Sequence, residues 1–381
     1  MNNVFGTIDF ETDKYLDFLC NVCSFETKAE NKQTIDDMLD YITDFAKTEG
    51  FTVTRRKMEK CGDFLSVDLN EDSPKGCVFL AHTDTVHKTG AFGENPVTRL
   101  PDRIIGPGTI DCKGGIAIAL LAMKSLKENG YKKHLRLLLT SDEEISNILG
   151  GKEELDYFKD NCEGFPYAIN CETSEKDEAV ISRKGILKYR IDVTGVSGHS
   201  GIHYFECKNA IKEAAYKIVN LESESCQGGI TYSCNVINGG FLSNIIPDSC
   251  SVFVDVRVPK FIDMEKAENT VFEIAKTSYI GGTTATVTPI SKRPPMEKNS
   301  DTLELFNKLV EVCHKHGLGS LTPVESGGGS DSCYTQAIGI TSICGRGGCG
   351  EFCHTNKEYI LIESVPLRAK ILSAFLKEEK K

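Results

Sequence analysis

Apolar residues near the start of the chain recur at intervals of three and four positions. Between residues 12 and 49 they stand at Tyr15, Phe18, Leu19, Ile35, Met38, Leu39, Ile42 and Phe45. Such spacing places the side chains on one face of a helix, so the pattern predicts helical structure over 12–49. Gly50 is expected to end it, because glycine is favoured just past the end of a helix.

The next stretch alternates between strand-like and helix-like patterns. Strands are predicted within 52–69 and at 76–81, 134–140 and 167–170, and helices at 115–128 and 150–160. The strands at 76–81 and 134–140 are mostly apolar, which indicates burial on both faces of a sheet. Strands that alternate with helices are typical of an α/β fold with a largely parallel central sheet flanked by helices.

The pattern changes near residue 179, where longer, half-exposed strands are expected. Strands at 179–181, 185–194, 229–237 and 249–259 and helices at 209–221 and 263–277 predict an α+β unit with an antiparallel sheet. The α/β pattern then resumes with a helix at 301–316, a strand at 341–344 and a last helix at 361–379. The sequence therefore predicts an α/β domain in two segments, 1–178 and 293–381, split by an inserted α+β domain at 179–292.

Composition narrows the class of protein. The chain has 381 residues, 40% hydrophobic and 26% charged, which suits two globular domains. Its formal net charge of −11 argues against nucleic-acid binding, which needs a clustered positive surface. No apolar run approaches the roughly 18 residues of a membrane-spanning helix. With 16 cysteines and no signal peptide at its start, we expect a reduced, cytoplasmic protein with no membrane partner.

Side chains that bind metals lie near several predicted strand ends. They are His82, Asp84, Asp111, Glu143, Glu144, Glu172 and, in a later loop, His354. In α/β sheets the carboxyl ends of the strands are where ligands bind. Two imidazoles and several carboxylates suit two divalent metals that share one bridging carboxylate, with a spare carboxylate left as a base. The inventory therefore favours a metal-dependent hydrolase over a binding module.

Each of these residues also has an ordinary explanation. The alternatives are a plain loop for His82 and Asp84, a helix N-cap for Asp111, a solvated acidic turn for Glu143 and Glu144, Glu175 in place of Glu172, and a loop without function for His354. It is far less expected that every one of these ordinary explanations is correct at once, because His82 and the carboxylates follow similar β-type runs. Cys112 and Cys171 flank two candidates, and in extended backbone their thiols would point away into packing.

Short motifs cover nearly the whole chain. They are Ala-His-Thr-Asp-Thr (81–85), Gly-Thr-Ile-Asp-Cys-Lys-Gly-Gly (108–115), Asp-Glu-Glu (142–144), Glu-Thr-Ser (172–174), Gly-His-Ser (198–200), Asn-Ile-Ile-Pro (244–247), Asp-Val-Arg (255–257), Gly-Gly-Gly-Ser-Asp (327–331) and Cys-His-Thr (353–355). In this order they resemble the M20 metallopeptidases, the di-zinc group that includes glutamate carboxypeptidase, aminoacylase, acetylornithine deacetylase, succinyl-diaminopimelate desuccinylase and peptidase T. The resemblance implies a zinc-exopeptidase-like catalytic domain with an inserted lid.

The resemblance also implies roles at the metal centre. Five residues would hold two zinc ions: His82 and Glu172 on one, Glu144 and His354 on the other, and Asp111 bridging both. Asp84 would orient His82, and Glu143 would act as the general base. Cobalt or manganese can occupy sites with nitrogen and oxygen ligands of this kind, so the metal stays open.

Further roles fall in the inserted segment, which resembles a lid and dimerisation domain and so implies a homodimer. His199 would reach the partner subunit's site and help stabilise the oxyanion, with a surface-loop residue as its alternative. Asn244 and Arg257 would bind substrate, although Arg257 could instead form a surface ion pair. The glycine loop that includes Gly328, Gly329 and Ser330 would bind the substrate carboxylate through backbone N–H groups.

The expected reaction is hydrolysis of an amide bond next to a free carboxylate, in a small peptide or an N-acyl amino acid. A carboxypeptidase or dipeptidase is expected first and an N-acyl-amino-acid deacylase second, because the scissile amide is the same in both. Glu172 is more like the glutamate carboxypeptidase and desuccinylase branches than peptidase T, whereas residues 145–150 depart from the family pattern. A homologue that binds such compounds without hydrolysis is the alternative from another class.

Overall fold

The computed structural model describes residues 5–378. They form two compact units. The first runs to Ser182 and includes Lys298–Ser326 and the chain from Ser330 onward, and the second comprises Arg183–Glu297 and Gly327–Gly329. The domain boundaries after residues 178 and 292 stay a prediction, and the compact units change a few residues later.

Helices and strands alternate along most of the chain. The helices are α1 (Gly6–Ser24), α2 (Lys32–Thr48), α3 (Lys113–Glu128), α4 (Gly151–Cys162), α5 (Ala210–Ser223), α6 (Asp263–Lys276), α7 (Ser300–His316), α8 (Ser332–Ala337) and α9 (Ser364–Glu378). The strands are β1 (Thr52–Arg56), β2 (Phe64–Leu69), β3 (Lys75–His82), β4 (Thr98–Arg99), β5 (Arg103–Ile105), β6 (His134–Thr140), β7 (Tyr167–Asn170), β8 (Glu178–Arg183), β9 (Gly185–Thr194), β10 (Gly198–His199), β11 (Thr231–Gly239), β12 (Ile245–Ile246), β13 (Ser249–Val258), β14 (Thr284–Arg293), β15 (Thr322–Ser326), β16 (Thr341–Ile343), β17 (Gly350–Glu351) and β18 (Tyr359–Leu361).

A six-stranded sheet in the order β1-β2-β6-β3-β7-β16 forms the centre of the first unit. The four strands β6, β3, β7 and β16 run parallel, while β1 and β2 add antiparallel pairs at one edge. The predicted α/β fold with a largely parallel core is confirmed. The register pairs His82 with Thr140 and Leu80 with Asn170, so these strands end at the same edge of the sheet.

Helix α3 is apolar on all sides because it is buried in the first unit. Its residues from Ile116 to Met123 are fully buried, in the same hydrophobic core as buried residues of α1 and α9. A helix that is hydrophobic around its whole circumference is typical of such a central position. The N-terminus of α3 is therefore fixed in place, directly after the loop that carries Asp111.

The second unit contains a four-stranded antiparallel sheet in the order β11-β13-β9-β14, with α5 and α6 packed on it. Alternate residues of β13, from Cys250 to Val258, are buried, as expected for a sheet covered on one face. The predicted strands and helices of this part appear with small shifts. The edge strand β14 was not predicted.

Some expectations from the sequence were wrong in detail. The helical stretch 12–49 is two helices, since Asn31 caps α2 by accepting the N–H of Thr34 after an intervening loop. The strand expected at 179–181 in the inserted domain lies in β8, which pairs with β15 of the first unit. The last helix begins at Ser364, after β18, and residue 379 lies outside the described residues. Within residues 5–378, every helix is too short or too polar to traverse a lipid bilayer.

Candidate metal centre

The sheet edge at the carboxyl ends of the parallel strands gathers the predicted ligands. His82 is the last residue of β3, Glu144 lies in the turn after β6, and Glu172 follows β7 by two residues. Asp111 enters the same place from the turn before α3. His354 arrives on the loop between β17 and β18. The fold thus brings together five side chains that are separated by up to 272 positions.

Asp111 lies between the two imidazoles. Its Oδ1 is 3.0 Å from Nε2 of His82, and its Oδ2 is 3.0 Å from Nε2 of His354. Nε2 of His82 is 3.6 Å from Oε1 of Glu172, and Nε2 of His354 is 3.2 Å from Oε2 of Glu144. We refer to His82, Glu172 and Oδ1 of Asp111 as the His82 half, and to His354, Glu144 and Oδ2 as the His354 half.

These separations fit a metal between the donors of each half. Donors about 2.0–2.1 Å from a tetrahedral zinc ion are ~3.3 Å apart, close to the separations seen here. The carboxylate of Asp111 offers one oxygen to each half, which is what a bridging ligand requires. The residues present therefore fit the pair of divalent ions that the sequence predicts.

The charges of the cluster also fit divalent cations. Burial opposes ionisation of Asp111, but hydrogen bonds with His354 and His82 hold its pKa well below the usual range. Hydrogen bonds with Asp111, Cys353 and Glu144 raise the pKa of His354 far above its usual value. Both imidazoles would therefore carry protons that balance the carboxylates in the metal-free protein. Divalent ions would balance the same charge and release those protons.

Glu144 and His82 show the same competition between burial and charge. Burial, followed by the negative charge of Asp111, raises the pKa of Glu144 to about 8, although the hydrogen bond with His354 opposes the rise. Burial lowers the pKa of His82, yet the neighbouring acidic groups Cys112 and Asp111 raise it well above its usual value. A cluster with this many acidic groups needs positive charge to stay compact.

Asp84 connects the strand that carries His82 to the turn that carries Glu143 and Glu144. It is fully buried, and its two carboxylate oxygens accept the backbone N–H groups of Glu143 (3.2 Å) and Glu144 (3.0 Å). Nδ1 of His82 lies 3.1 Å from the backbone carbonyl oxygen of Asp84 and 3.4 Å from its carboxylate. The orienting contact to His82 is thus made by the carbonyl oxygen as well as the carboxylate.

The geometry decides several of the ordinary alternatives. Asp111 does not cap α3, because the N-cap position is Cys112 and no side-chain capping bond is formed there. Glu143 and Glu144 do not form a solvated turn, since both side chains are largely buried. Glu172 rather than Glu175 contacts the cluster. The roles of all these residues in catalysis remain predictions.

The expected direction of one thiol was wrong. Sγ of Cys112 lies within 4.8 Å of the ligand atoms of His82 and Glu172, where it donates to the carbonyl oxygen of Cys171 at 3.2 Å. The chain turns into α3 at Cys112, so the extended backbone assumed for this position does not exist. Cys171 is buried, as packing requires.

Reasoning from the sequence missed a buried pair that holds the Asp111 turn. Oε1 of Glu358 accepts the backbone N–H groups of Ile110 (2.9 Å) and Asp111 (3.2 Å), and Oε2 lies 2.7 Å from Nε2 of His87. Both side chains are buried. Because His87 and Glu358 are 271 positions apart, their spacing gave no signal.

His199 and Asn244 lie on paired segments of the second unit. β10 pairs with β12, and the N–H of Ser200 donates to the carbonyl oxygen of Asn244 at 3.0 Å. The N–H of Gly201 donates to Nδ1 of His199 at 3.1 Å. This bond makes Nδ1 the acceptor, so a neutral His199 carries its proton on Nε2.

Arg257 forms the ion pair that was its alternative explanation. Its Nε and Nη2 donate to Oδ1 and Oδ2 of Asp255 at 2.6 and 3.0 Å, and its Nη1 lies 3.5 Å from the carbonyl oxygen of Gly327.

The glycine loop packs closely against Arg293. At Gly329 a Cβ atom would lie 2.8 Å from Cδ of Arg293, so the loop backbone approaches Arg293 too closely for a side chain at this position.

Ser330 differs from the glycines that precede it. Its side chain is buried in the first unit, with Oγ 2.5 Å from Oγ of Ser332. Its hydroxyl therefore faces the interior of that unit. Gly328 is exposed, and its carbonyl oxygen lies 3.5 Å from Nη1 of Arg183. Substrate binding by Gly328, Gly329 and Ser330 through backbone N–H groups stays a prediction.

Comparisons with known proteins agree with this picture. The family model of peptidase family M20/M25/M40 matches residues 78–378. Carboxypeptidase G2 of Pseudomonas sp. (strain RS-16) is 28% identical over 366 residues, which cover 93% of this chain and 86% of that protein. A succinyl-diaminopimelate desuccinylase of Rickettsia felis is 28% identical over 289 residues, covering 69% of this chain and 73% of that protein. The crystal structure of aminopeptidase PepT from Bacillus cereus superposes with a TM-score of 0.78 at 20% identity, covering 97% of this chain and 99% of that one.

Proposed function

This chain belongs to peptidase family M20/M25/M40 and is a hydrolase acting on amide bonds, and from that premise we propose that it uses two divalent metals to cleave an amide next to a free carboxylate. The substrate would be a small peptide, as for a carboxypeptidase or dipeptidase. The observation that carries the proposal is the carboxylate of Asp111, which offers one oxygen to each imidazole.

Zinc is the proposed metal. Imidazole and carboxylate donors suit Zn²⁺, although Co²⁺ or Mn²⁺ can use the same ligands. His82 and Glu172 would hold one ion, Glu144 and His354 the other, and Asp111 both. When bound, the ions supply Lewis acidity that polarises the amide carbonyl and makes water nucleophilic near neutral pH.

Glu143 is the proposed general base. It precedes a ligand of the His354 half, and its backbone is fixed by the hydrogen bond from its N–H to Asp84. A carboxylate placed this close to the cluster can take the proton of the attacking water and return it to the leaving amine. The turn thus carries a metal ligand and the base on adjacent residues, Glu144 and Glu143.

His199 is the proposed donor to the oxyanion. Gly201 fixes its tautomer, which leaves Nε2–H as a hydrogen-bond donor at no further cost in reorganisation. Arg257 and Asn244 would bind the substrate carboxylate, together with N–H groups of Gly328, Gly329 and Ser330. The ion pair with Asp255 occupies Nε and Nη2 of Arg257, so a substrate carboxylate would bind the guanidinium through Nη1.

We further propose that the second unit forms a homodimer, through which His199 would serve the partner's site. The edge strand β11 leaves Val236 and Ile237 about half exposed, and α5 leaves Val219 67% exposed. Large exposed apolar side chains on neighbouring elements suit a protein interface. Replacing Val219 by Glu should shift the protein to monomer in light scattering and lower its activity, whereas a monomeric wild-type protein would contradict the proposal. A reducing cytoplasm is the proposed location, because a chain with 16 cysteines and a metal centre of this kind suits that compartment.

A second candidate reaction is removal of an acyl group from an N-acyl amino acid. The observation that favours it is the similarity to a desuccinylase, at 28% identity over 69% of this chain. The complete cluster of ligands weighs against a homologue that only binds such compounds, since a protein without catalysis has no need of all five.

The test of the proposed function is metal content followed by hydrolysis of a substrate panel. Elemental analysis should give about two zinc ions per chain after loading. The same sample is then incubated with dipeptides, tripeptides, acyl-glutamates, and N-acetyl and N-succinyl amino acids. Cleavage of peptides or acyl-glutamates supports the first reaction, and cleavage of N-succinyl or N-acetyl compounds alone supports the second. Absence of metal and of turnover after loading would overturn both.

A further inference from the structure

A second thiol lies in the cluster, next to His354, whereas Cys112 lies next to His82 and Glu172. Sγ of Cys353 is 3.0 Å from Oδ2 of Asp111, and it belongs with Asp111 and His354 to a group whose ligand atoms all lie within 4.8 Å of one another. Its side chain is half-buried. The family roles inferred from the sequence use His354 at this point and give Cys353 none.

The position of this thiol relates it to one half of the cluster. Oδ2 of Asp111 is the oxygen that also contacts Nε2 of His354, which in turn lies 3.2 Å from Glu144. Sγ of Cys353, Nε2 of His354 and Oδ2 of Asp111 therefore converge on one volume, and Glu144 borders it through its contact with Nε2 of His354. A metal with a zinc–sulfur distance of about 2.3 Å would place sulfur and oxygen donors ~3.5 Å apart, near the 3.0 Å between Sγ and Oδ2.

The two cysteines of the cluster differ in what they contact. Cys112 donates its S–H to the carbonyl oxygen of Cys171. If the sulfur of Cys112 bound a metal, the thiol proton and this hydrogen bond would both be lost. The hydrogen-bond partner of Cys353 is instead the carboxylate of the proposed bridging ligand. A metal that binds Oδ2 therefore takes the place of the thiol proton and meets Sγ directly.

We propose that Cys353 is an additional ligand, as thiolate, of the metal held by Glu144 and His354. The inference rests on the proposed two-metal centre. On binding, the S–H bond breaks, the proton passes to solvent, and a sulfur–metal bond forms. The His354 half is then a mixed nitrogen, oxygen and sulfur site, whereas the His82 half is held through nitrogen and oxygen.

Such a site should select its metal by softness. Thiolate ligands favour Zn²⁺, Co²⁺ and Cd²⁺ over hard ions such as Mn²⁺ and Mg²⁺. The chain would therefore hold a thiophilic ion in the His354 half even where manganese is abundant. A cluster held through nitrogen and oxygen alone would exchange both ions without this preference.

The experiment is cobalt substitution of the full-length protein, with absorption spectra of the wild type, Cys353→Ser, Cys112→Ser and Cys226→Ser. The serine at 353 can still donate a hydrogen bond to Asp111 but is a poor ligand for soft metals. Cys226 is exposed in the second unit and controls for adventitious thiol binding. We expect a near-ultraviolet band from thiolate-to-cobalt charge transfer that is lost in Cys353→Ser and kept in the other two variants.

Other outcomes of the cobalt experiment would contradict the proposal. Two cobalt ions per chain without that band, or a band lost only in Cys112→Ser, would overturn ligation by Cys353 and leave the proposed hydrolase standing. Failure of cobalt and zinc to bind would overturn both. In competition, Cys353→Ser should lose much more affinity for Cd²⁺ than for Mn²⁺, because only the softer ion gains from a thiolate ligand. An equal loss for the two ions would mean that Cys353 only supports Asp111, contrary to the proposal.

Discussion

The two halves of the candidate metal centre are built on different kinds of structure. His82 ends a central strand and is 1% exposed, with its partner Glu172 also buried, so the sheet itself fixes this half. His354 lies on a loop and is 52% exposed. Its φ of 64° and that of Phe352, 61°, are both in the left-handed region, which non-glycine residues seldom adopt.

The difference between the halves shows that one cluster of ligands can combine a rigid, buried half with a half that is accessible to solvent. The His82 half is held by the sheet and by the buried contacts of Asp84. In the His354 half the side chain of Glu144 is buried and its backbone is held by Asp84, but His354 itself lies on a short loop, so a metal there should exchange faster and respond more strongly to solvent conditions. Asp111 belongs to both halves and should transmit changes between them.

The largest effect should come from Glu143, the proposed general base, which is not among the proposed metal ligands. Glu143→Gln removes proton transfer and should lower turnover by roughly 10²–10⁴-fold. Metal content should stay near that of the wild type, because the turn remains held by Asp84 through backbone N–H groups. Steady-state kinetics and elemental analysis on one sample check this. Near-normal turnover would remove Glu143 from its proposed role.

The next effect should separate the halves directly. His354→Gln should release one metal per chain and leave the other bound, because the buried His82 half keeps its own ligands. His82→Gln is the matched variant and should disturb both ions, since it removes a ligand that lies within the sheet. Titration with a chelator, followed by elemental analysis, measures the two classes of site. Equal loss from both variants would break the distinction between a rigid and an accessible half.

A smaller effect should appear with pH. The pKa of Glu144 is raised to about 8 and that of His354 is raised far above its usual value, so in the metal-free protein both groups hold protons below these values. Metal must displace these protons, and its affinity for the His354 half should therefore rise with pH through the neutral range and fall as the solution becomes acidic. Calorimetric titrations of the metal-free protein at several pH values measure this. An affinity that does not change with pH would contradict it.

The smallest effect should follow from the pair that supports Asp111. Glu358→Gln keeps the shape but loses the charge that faces His87 and the backbone N–H groups of Ile110 and Asp111. Metal affinity should fall by about tenfold, which is the low end of the loss expected when a residue that hydrogen-bonds a metal ligand is replaced. Both halves should lose affinity equally, because Asp111 bridges them. Loss from one half alone would show that the two oxygens of Asp111 are held independently.

The sequence predicted the elements that carry the ligands better than the contacts between them. Apolar runs at 76–81 and 134–140 correspond to β3 and β6, because buried parallel strands have a distinctive composition. Helix α3 was expected for the same kind of reason. The short strands β4, β5, β17 and β18 were not, since two or three residues are too few to form a pattern. The break between α1 and α2 was also missed, because both helices bury a face in one core.

By itself the amino-acid sequence determined which donors are available: imidazoles, carboxylates and thiols near the ends of strands and in a late loop. Only the tertiary structure decided that a carboxylate oxygen of Asp111 contacts the imidazole of His354, 243 positions away. The same holds for the contacts of Asp111 with the thiol of Cys353 and the carboxylate of Glu358. The physical reason is that local periodicity records which face of a strand or helix is buried. The direction of a side chain in a loop depends instead on the packing of distant segments, which no local pattern contains.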